Sequence, residues 1–132
     1  MDTVSPTVAL IFGIVIGIIM WITGGLVIEV NKRAADGRLK RSRIAGLRTK
    51  ATLASDEAWL AGHTAAHQST IVAGALSMAS GVVSVVFGVV AATNVMSGSA
   101  AMVAIAISVL AGSLLLVAFL LRATIQANRA AA

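Results

Sequence analysis

The residues with the most chemistry in this chain lie within one short stretch. Trp59, His63 and His67 recur at i, i+4 and i+8, which sets all three on one face of a helix. Two histidines one turn apart can chelate a metal ion, and a histidine titrates near pH 6.5, so metal binding and pH sensing are the two activities this pattern could support. A catalytic zinc site wants a third ligand and a base, as in H-E-x-x-H. Glu57 stands six residues before His63, off its meridian, and makes a poor ligand set. The plainer expectation is that both histidines pack their polar edges against the preceding loop, with no metal. Trp59 is then an interfacial anchor, and Trp21 a lipid- or bundle-facing residue.

Other chemistries are excluded by what the chain lacks. With no cysteine there is no disulfide, zinc thiolate, iron–sulfur cluster or thiol nucleophile. No nucleophile–base–orienter set is visible. The one glycine pair, Gly24-Gly25, falls inside an apolar run and not in a phosphate-binding loop. The sequence therefore points to no catalytic residue, no cofactor and no enzymatic activity.

The elements that carry these residues are membrane helices. The chain is 58% hydrophobic and 11% charged, against roughly 25% charged in a soluble domain, so lipid is its natural solvent. Apolar runs cover about 8–28, 70–92 and 100–121, each near the ~20 residues that cross a bilayer core at 1.5 Å per residue. Ser5-Pro6 suits a helix start. A cleaved signal peptide would need a positive leader and a shorter core; here only Asp2 precedes the run, so the first span is read as retained. The uncharged stretch 93–99 is short and turn-prone, which makes the last two spans an antiparallel hairpin. The expectation is a single all-α membrane domain over 1–132, a transmembrane three-helix bundle. No Asp, Glu, Lys, Arg or His lies inside a span, which speaks against a transporter or pump.

Charge gives the orientation. Eight of the ten basic residues fall at Lys32, Arg33, Arg38, Lys40, Arg41, Arg43, Arg48 and Lys50, and the other two are Arg122 and Arg129. Three crossings put both groups on one side. By the positive-inside rule that side is the cytoplasm, with the N-terminus outside and the C-terminus inside. The loop 29–69 is then cytoplasmic. Its basic run suits anionic lipid, at roughly 1 kcal/mol per residue. It lacks the stacking aromatics of a nucleic-acid site, and no nucleic-acid partner is expected.

Helices in lipid meet at small residues. Thr70, Gly74, Ser77, Gly81, Ser84 and Gly88 recur at 4, 3, 4, 3, 4 in the second run, a heptad seam that favours left-handed packing. Ala101, Ala104, Ser108, Ala111 and Ala118 form a similar series in the third. Gly13, Gly17 and Gly24 mark the first. These stripes either build one monomeric bundle or leave Gly13/Gly17 for a partner subunit or a second copy.

Ahead of the second span, Ser55-Asp56-Glu57 reads as a capped helix N-terminus, with Thr52 as a competing cap. Nothing beyond Gly62 interrupts the helix, so a long second helix over 56–92 is expected. The residues Gly46-Leu47-Arg48-Thr49, Thr52-Leu53, Ser55-Asp56-Glu57-Ala58-Trp59 and Gly62-His63 resemble the signature of the SdpI-like family. These are small bacterial membrane proteins named for an immunity protein against a secreted membrane-active peptide toxin. The resemblance implies a non-enzymatic immunity or signalling role, against a peptide toxin or by sequestering a regulator. It implies that Arg48, Thr49, Glu57, Trp59 and His63 carry the interaction. The competing expectation, from low mass and small-residue seams, is a structural accessory subunit of a larger membrane complex.

Overall fold

The computed structural model describes residues 3–132; Asp2 lies outside them. It contains three helices, α1 (Pro6–Ala35), α2 (Asp56–Ala92) and α3 (Gly98–Ala131), and no strand among the described residues. All three are long and apolar enough to cross a membrane.

Each helix starts where a hydroxyl can cap it. Ser5 Oγ accepts the Val8 amide at 3.2 Å, Ser55 Oγ the Ala58 amide at 3.0 Å, and Ser97 Oγ the Ala100 amide at 3.1 Å. These bonds satisfy amides that have no carbonyl partner in a first turn. The caps at Ser5 and Ser55 are those the sequence indicates. Thr52, the competing cap, belongs instead to the turn before α2. Gly37 ends α1 at φ 76°, and Asn94 turns the chain after α2 at φ 59°.

Helices α1 and α3 outrun their apolar cores at the C-terminal end. α1 continues past residue 28 to Ala35, with Glu29 and Arg33 paired one turn apart at 2.7 Å. α3 continues past residue 121 to Ala131. Both extensions are held by packing: Ala34, Ala123 and Ala127 are fully buried. α2 is unbroken from Asp56 to Ala92, passing through Gly62.

The chain divides into two compact units. The first comprises Met1–Gly24 and Ala75–Leu115. Here α1 and α2 approach backbone to backbone. A Cβ on Gly17 would lie 2.8 Å from the Gly81 carbonyl oxygen, and one on Gly81 would lie 2.7 Å from that of Gly17. A Cβ on Gly13 would meet the Ser84 carbonyl oxygen at 2.6 Å and Gly88 Cα at 3.2 Å. The Gly13/Gly17 stripe is thus used within the chain. Serines tie the remaining contacts: Ser77 Oγ donates to Met20 O at 2.9 Å, and Ser80 Oγ to Ser108 O at 2.6 Å.

The α3 seam differs from the expected series. Ala111 and Ala118 are exposed and Ala104 is only half-buried. The packed line runs through Ala101, Ile105, Ser108 and Gly112, at spacings of 4, 3 and 4. Ile105 is completely buried, and Gly112 leaves room for Ser80. In a chain this rich in alanine, residue size alone does not distinguish the packed stripe. The outer surface of the unit is apolar, with Ile18, Leu110 and Leu114 more than half exposed, as a lipid-facing surface should be.

The second unit comprises Gly25–Gly74 and Leu116–Ala132. It contains the loop 36–55 and every motif residue named above.

Candidate functional site

The site is built on the first three turns of α2. Trp59 and His63 stand one turn apart and their rings stack, with centroids 4.1 Å apart and planes at 42°. His63 Nδ1 donates to the Trp59 carbonyl at 2.8 Å, and His63 Nε2 accepts the Leu47 amide at 2.9 Å. A carbonyl can only accept and an amide N–H can only donate, so the ring is the neutral Nδ1–H tautomer. His63 lies ahead of the 70–92 span, and burial lowers its pKa from the usual value, opposed by the bond to Trp59. Both nitrogens are committed, so this ring has no lone pair to offer a metal.

The loop is shaped to reach that ring. Gly46 adopts φ 91°, a conformation only glycine takes without strain. A Cβ there would meet His63 Nε2 and Trp59 Cη2, each at 2.8 Å. The next turn closes on Thr49 and Thr52. Thr52 Oγ1 accepts the Thr49 amide at 2.8 Å and donates to the Leu47 carbonyl at 2.8 Å, while Thr49 Oγ1 accepts the Thr52 amide at 3.1 Å. Thr52 is fully buried and packs where Gly62 has no side chain. Leu47 covers Ala66, Ala123 and Ala127.

Trp59 is not an interfacial anchor. It is 2% exposed, and its Nε1 donates to the Leu39 carbonyl at 2.9 Å. The loop folds over the indole and supplies the acceptor that a buried tryptophan requires. Trp21, in contrast, is half exposed.

Charged groups lie outside this clamp. Arg41 bonds the Leu53 carbonyl at 3.2 Å and approaches Asp56 at 3.4 Å. Arg48 donates to the Arg43 carbonyl at 2.6 Å and remains exposed. Glu57 is exposed, with no hydrogen bond or ion pair among the described residues. Of the five residues singled out from the sequence, Thr49, Trp59 and His63 are structural parts of one clamp. Arg48 and Glu57 present side chains to the surroundings.

His67 is separated from His63 by its partner. Asn31 Nδ2 donates to His67 Nδ1 at 3.2 Å and reaches the His63 carbonyl at 3.4 Å. Asn31 is 3% exposed, and its Oδ1 has no partner among the described residues. It lines a cavity of about 300 Å³ together with Leu26, Val27, Val30, Ala45, Gly46, Leu47, Thr70 and Leu120. No group of three or more His, Cys, Asp or Glu that could hold a metal occurs among the described residues. Sequence reasoning missed Asn31, and it reads the buried Thr52 only as a motif residue and a competing cap. Asn31 follows the end of an apolar run and has no motif around it. Thr52 had a signal, its place in the threonine turn, but was weighed as a cap.

The stripe of the second span is divided between the two units. Thr70 and Gly74 are buried in the second unit, and Ser77, Gly81, Ser84 and Gly88 are buried in the first.

Comparison with known proteins places the clamp in context. A family model described as the SdpI/YfhL protein family matches residues 38–125, a stretch that begins one residue before Leu39 and includes all of α2. No curated protein matches. No solved structure matches.

Proposed function

For a chain that belongs to the SdpI/YfhL protein family, we propose a non-enzymatic immunity or signalling role, exercised from a preformed loop platform on α2. One observation carries this reading. The motif residues converge on a single hydrogen-bonded clamp, Gly46–Leu47–Thr52 against Trp59–His63, and the clamp displays Arg48 and Glu57 outward. A surface held this way binds without first paying for loop ordering. Its charged rim suits either a membrane-active peptide or a regulator drawn to the membrane. The family is not known as one of enzymes, which supports the non-enzymatic part of this reading.

The proposed setting is a bacterial plasma membrane, with 8–28, 70–92 and 100–121 embedded as one membrane domain and 29–69 cytoplasmic. The basic residues of that loop then meet anionic lipid. The test is survival. Deleting the gene should sensitise cells to the cognate peptide, and Arg48→Ala or Glu57→Ala should fail to restore resistance while accumulating in the membrane normally. Unchanged survival of the deletion strain would count against immunity. Trp59→Ala is not a useful probe, because removing a buried tryptophan costs about 3–5 kcal/mol of packing.

A second reading, the accessory subunit of a larger complex, is favoured by one feature of the first unit. A groove of about 560 Å³ runs along Gly17, Ile18, Trp21, Ile22, Gly81, Val82, Val85 and Val86, wide enough for side chains of a partner helix. Extraction in mild detergent and pulldown of the tagged protein separate the two. A stoichiometric large complex supports the accessory role, and the small protein alone removes it.

A further inference from the structure

Ile44 is 89% exposed, the most exposed large apolar residue among those described, in a loop that carries six basic residues. Its neighbours show where that side chain lies. Ala45 and Gly46 line one cavity together with Leu26, Val27 and Leu120. Those three residues belong to the last turns of the apolar runs 8–28 and 100–121. At 1.5 Å per residue, they sit within about one turn of the point where each run meets its first polar residue. With those runs embedded, the loop would double back to the depth of the acyl–headgroup boundary, carrying the exposed Ile44 there.

The turn that presents Ile44 is fixed. Ser42 Oγ accepts the amides of Ile44 at 3.1 Å and Ala45 at 3.4 Å, and Arg48 is tied to the Arg43 carbonyl. Arg43 directly precedes the isoleucine, Arg48 is bonded to the Arg43 carbonyl, and both are exposed. An exposed apolar tip beside arginines matches a bilayer surface, with the tip among the acyl chains and the guanidinium groups at the phosphates.

We propose that the loop tip at Ile44 inserts into the bilayer, a second membrane contact besides the helices, with anionic phospholipid as its partner. This goes beyond the immunity reading and does not need it. It rests on the 8–28 and 100–121 runs being embedded in lipid.

The chain has no cysteine, so a nitroxide can be attached at one chosen position. Ile44→Cys, Lys50→Cys and Leu114→Cys are each spin-labelled and reconstituted in vesicles of phosphatidylethanolamine and phosphatidylglycerol. Collision with oxygen, which partitions into lipid, is compared with collision with an aqueous nickel chelate. The expected result is an oxygen-to-nickel ratio several-fold higher at position 44 than at position 50, approaching that at position 114. Replacing phosphatidylglycerol by phosphatidylcholine should lower the ratio at 44 and leave that at 114 unchanged. A ratio at 44 equal to that at 50 overturns the proposal. So does low collision with both reagents, which would mean that protein covers the tip. If position 114 is also aqueous, the embedding of the runs fails and the proposal fails with it.

Discussion

At the scale of single residues, the clamp depends on two residues, the His63 ring and Gly46 with no side chain at all. His63 must be neutral, because the Leu47 amide already points its hydrogen at Nε2. With a folded pKa lowered by burial, the neutral ring contributes stability above its unfolded pKa of about 6.5. That contribution is lost as the pH falls through the folded value. Protonation should release the loop and bring a quenching imidazolium against Trp59. In a Trp21→Phe background, where Trp59 is the remaining indole, fluorescence should fall with a midpoint below pH 6.5. A midpoint at or above the free-histidine value would show that burial does not govern this ring. Gly46 is the other such residue. Gly37→Ala meets nothing within 4 Å and should cost only the strain of a positive φ, about 1–2 kcal/mol. Gly46→Ala carries the same strain and also drives a methyl into both rings. It should therefore unfold earlier than Gly37→Ala in a denaturant titration in bicelles; equal stability of the two variants would remove Gly46 from the clamp.

At the scale of elements, the helices were readable because their signals are local. A run of apolar residues bounded by charge, and a serine ahead of it, need no knowledge of the rest of the chain. The α2 extension was legible for the same reason, through Ser55 and the acids after it. What stayed hidden depends on distant pairs. Asn31 meets His63 and His67 across more than thirty residues, and the Trp59 indole bonds a carbonyl at Leu39. No periodicity encodes either contact. The α3 seam misled for a related reason: its alanines fit several stripes, and only the position of Ser80 on α2 selects the one through Gly112. The α1–α2 contact offers a direct comparison. Gly81→Ala would place a methyl against the Gly17 carbonyl and should destabilise by about 1–3 kcal/mol through overpacking. Gly25→Ala, with open space around it, should be neutral or stabilising, since alanine is the better helix former. Thermal melts of both variants in the same detergent would decide; a neutral Gly81→Ala means that the two backbones do not approach as closely as the geometry requires.

At the scale of the whole molecule, the family match and the charge distribution have different reach. Membership fixes what kind of protein this is, but orientation rests on where lysine and arginine fall. Eight basic residues lie between Lys32 and Lys50, and the connection 93–97 has none. In the proposed topology one crossing, α2, sets these two regions on opposite sides of the bilayer, and the positive-inside rule would keep the basic one inside. Two exposed positions report on this directly, Lys50 in the basic loop and Val95, 82% exposed, in the turn between α2 and α3. In intact cells, a membrane-impermeant maleimide should label Val95→Cys and spare Lys50→Cys until the membrane is permeabilised. The reverse pattern would move the clamp, with Arg48 and Glu57, to the outer surface. A secreted peptide would then meet the platform before entering the bilayer, whereas a cytoplasmic regulator could not reach it at all, so this single measurement also separates the two forms of the proposed role.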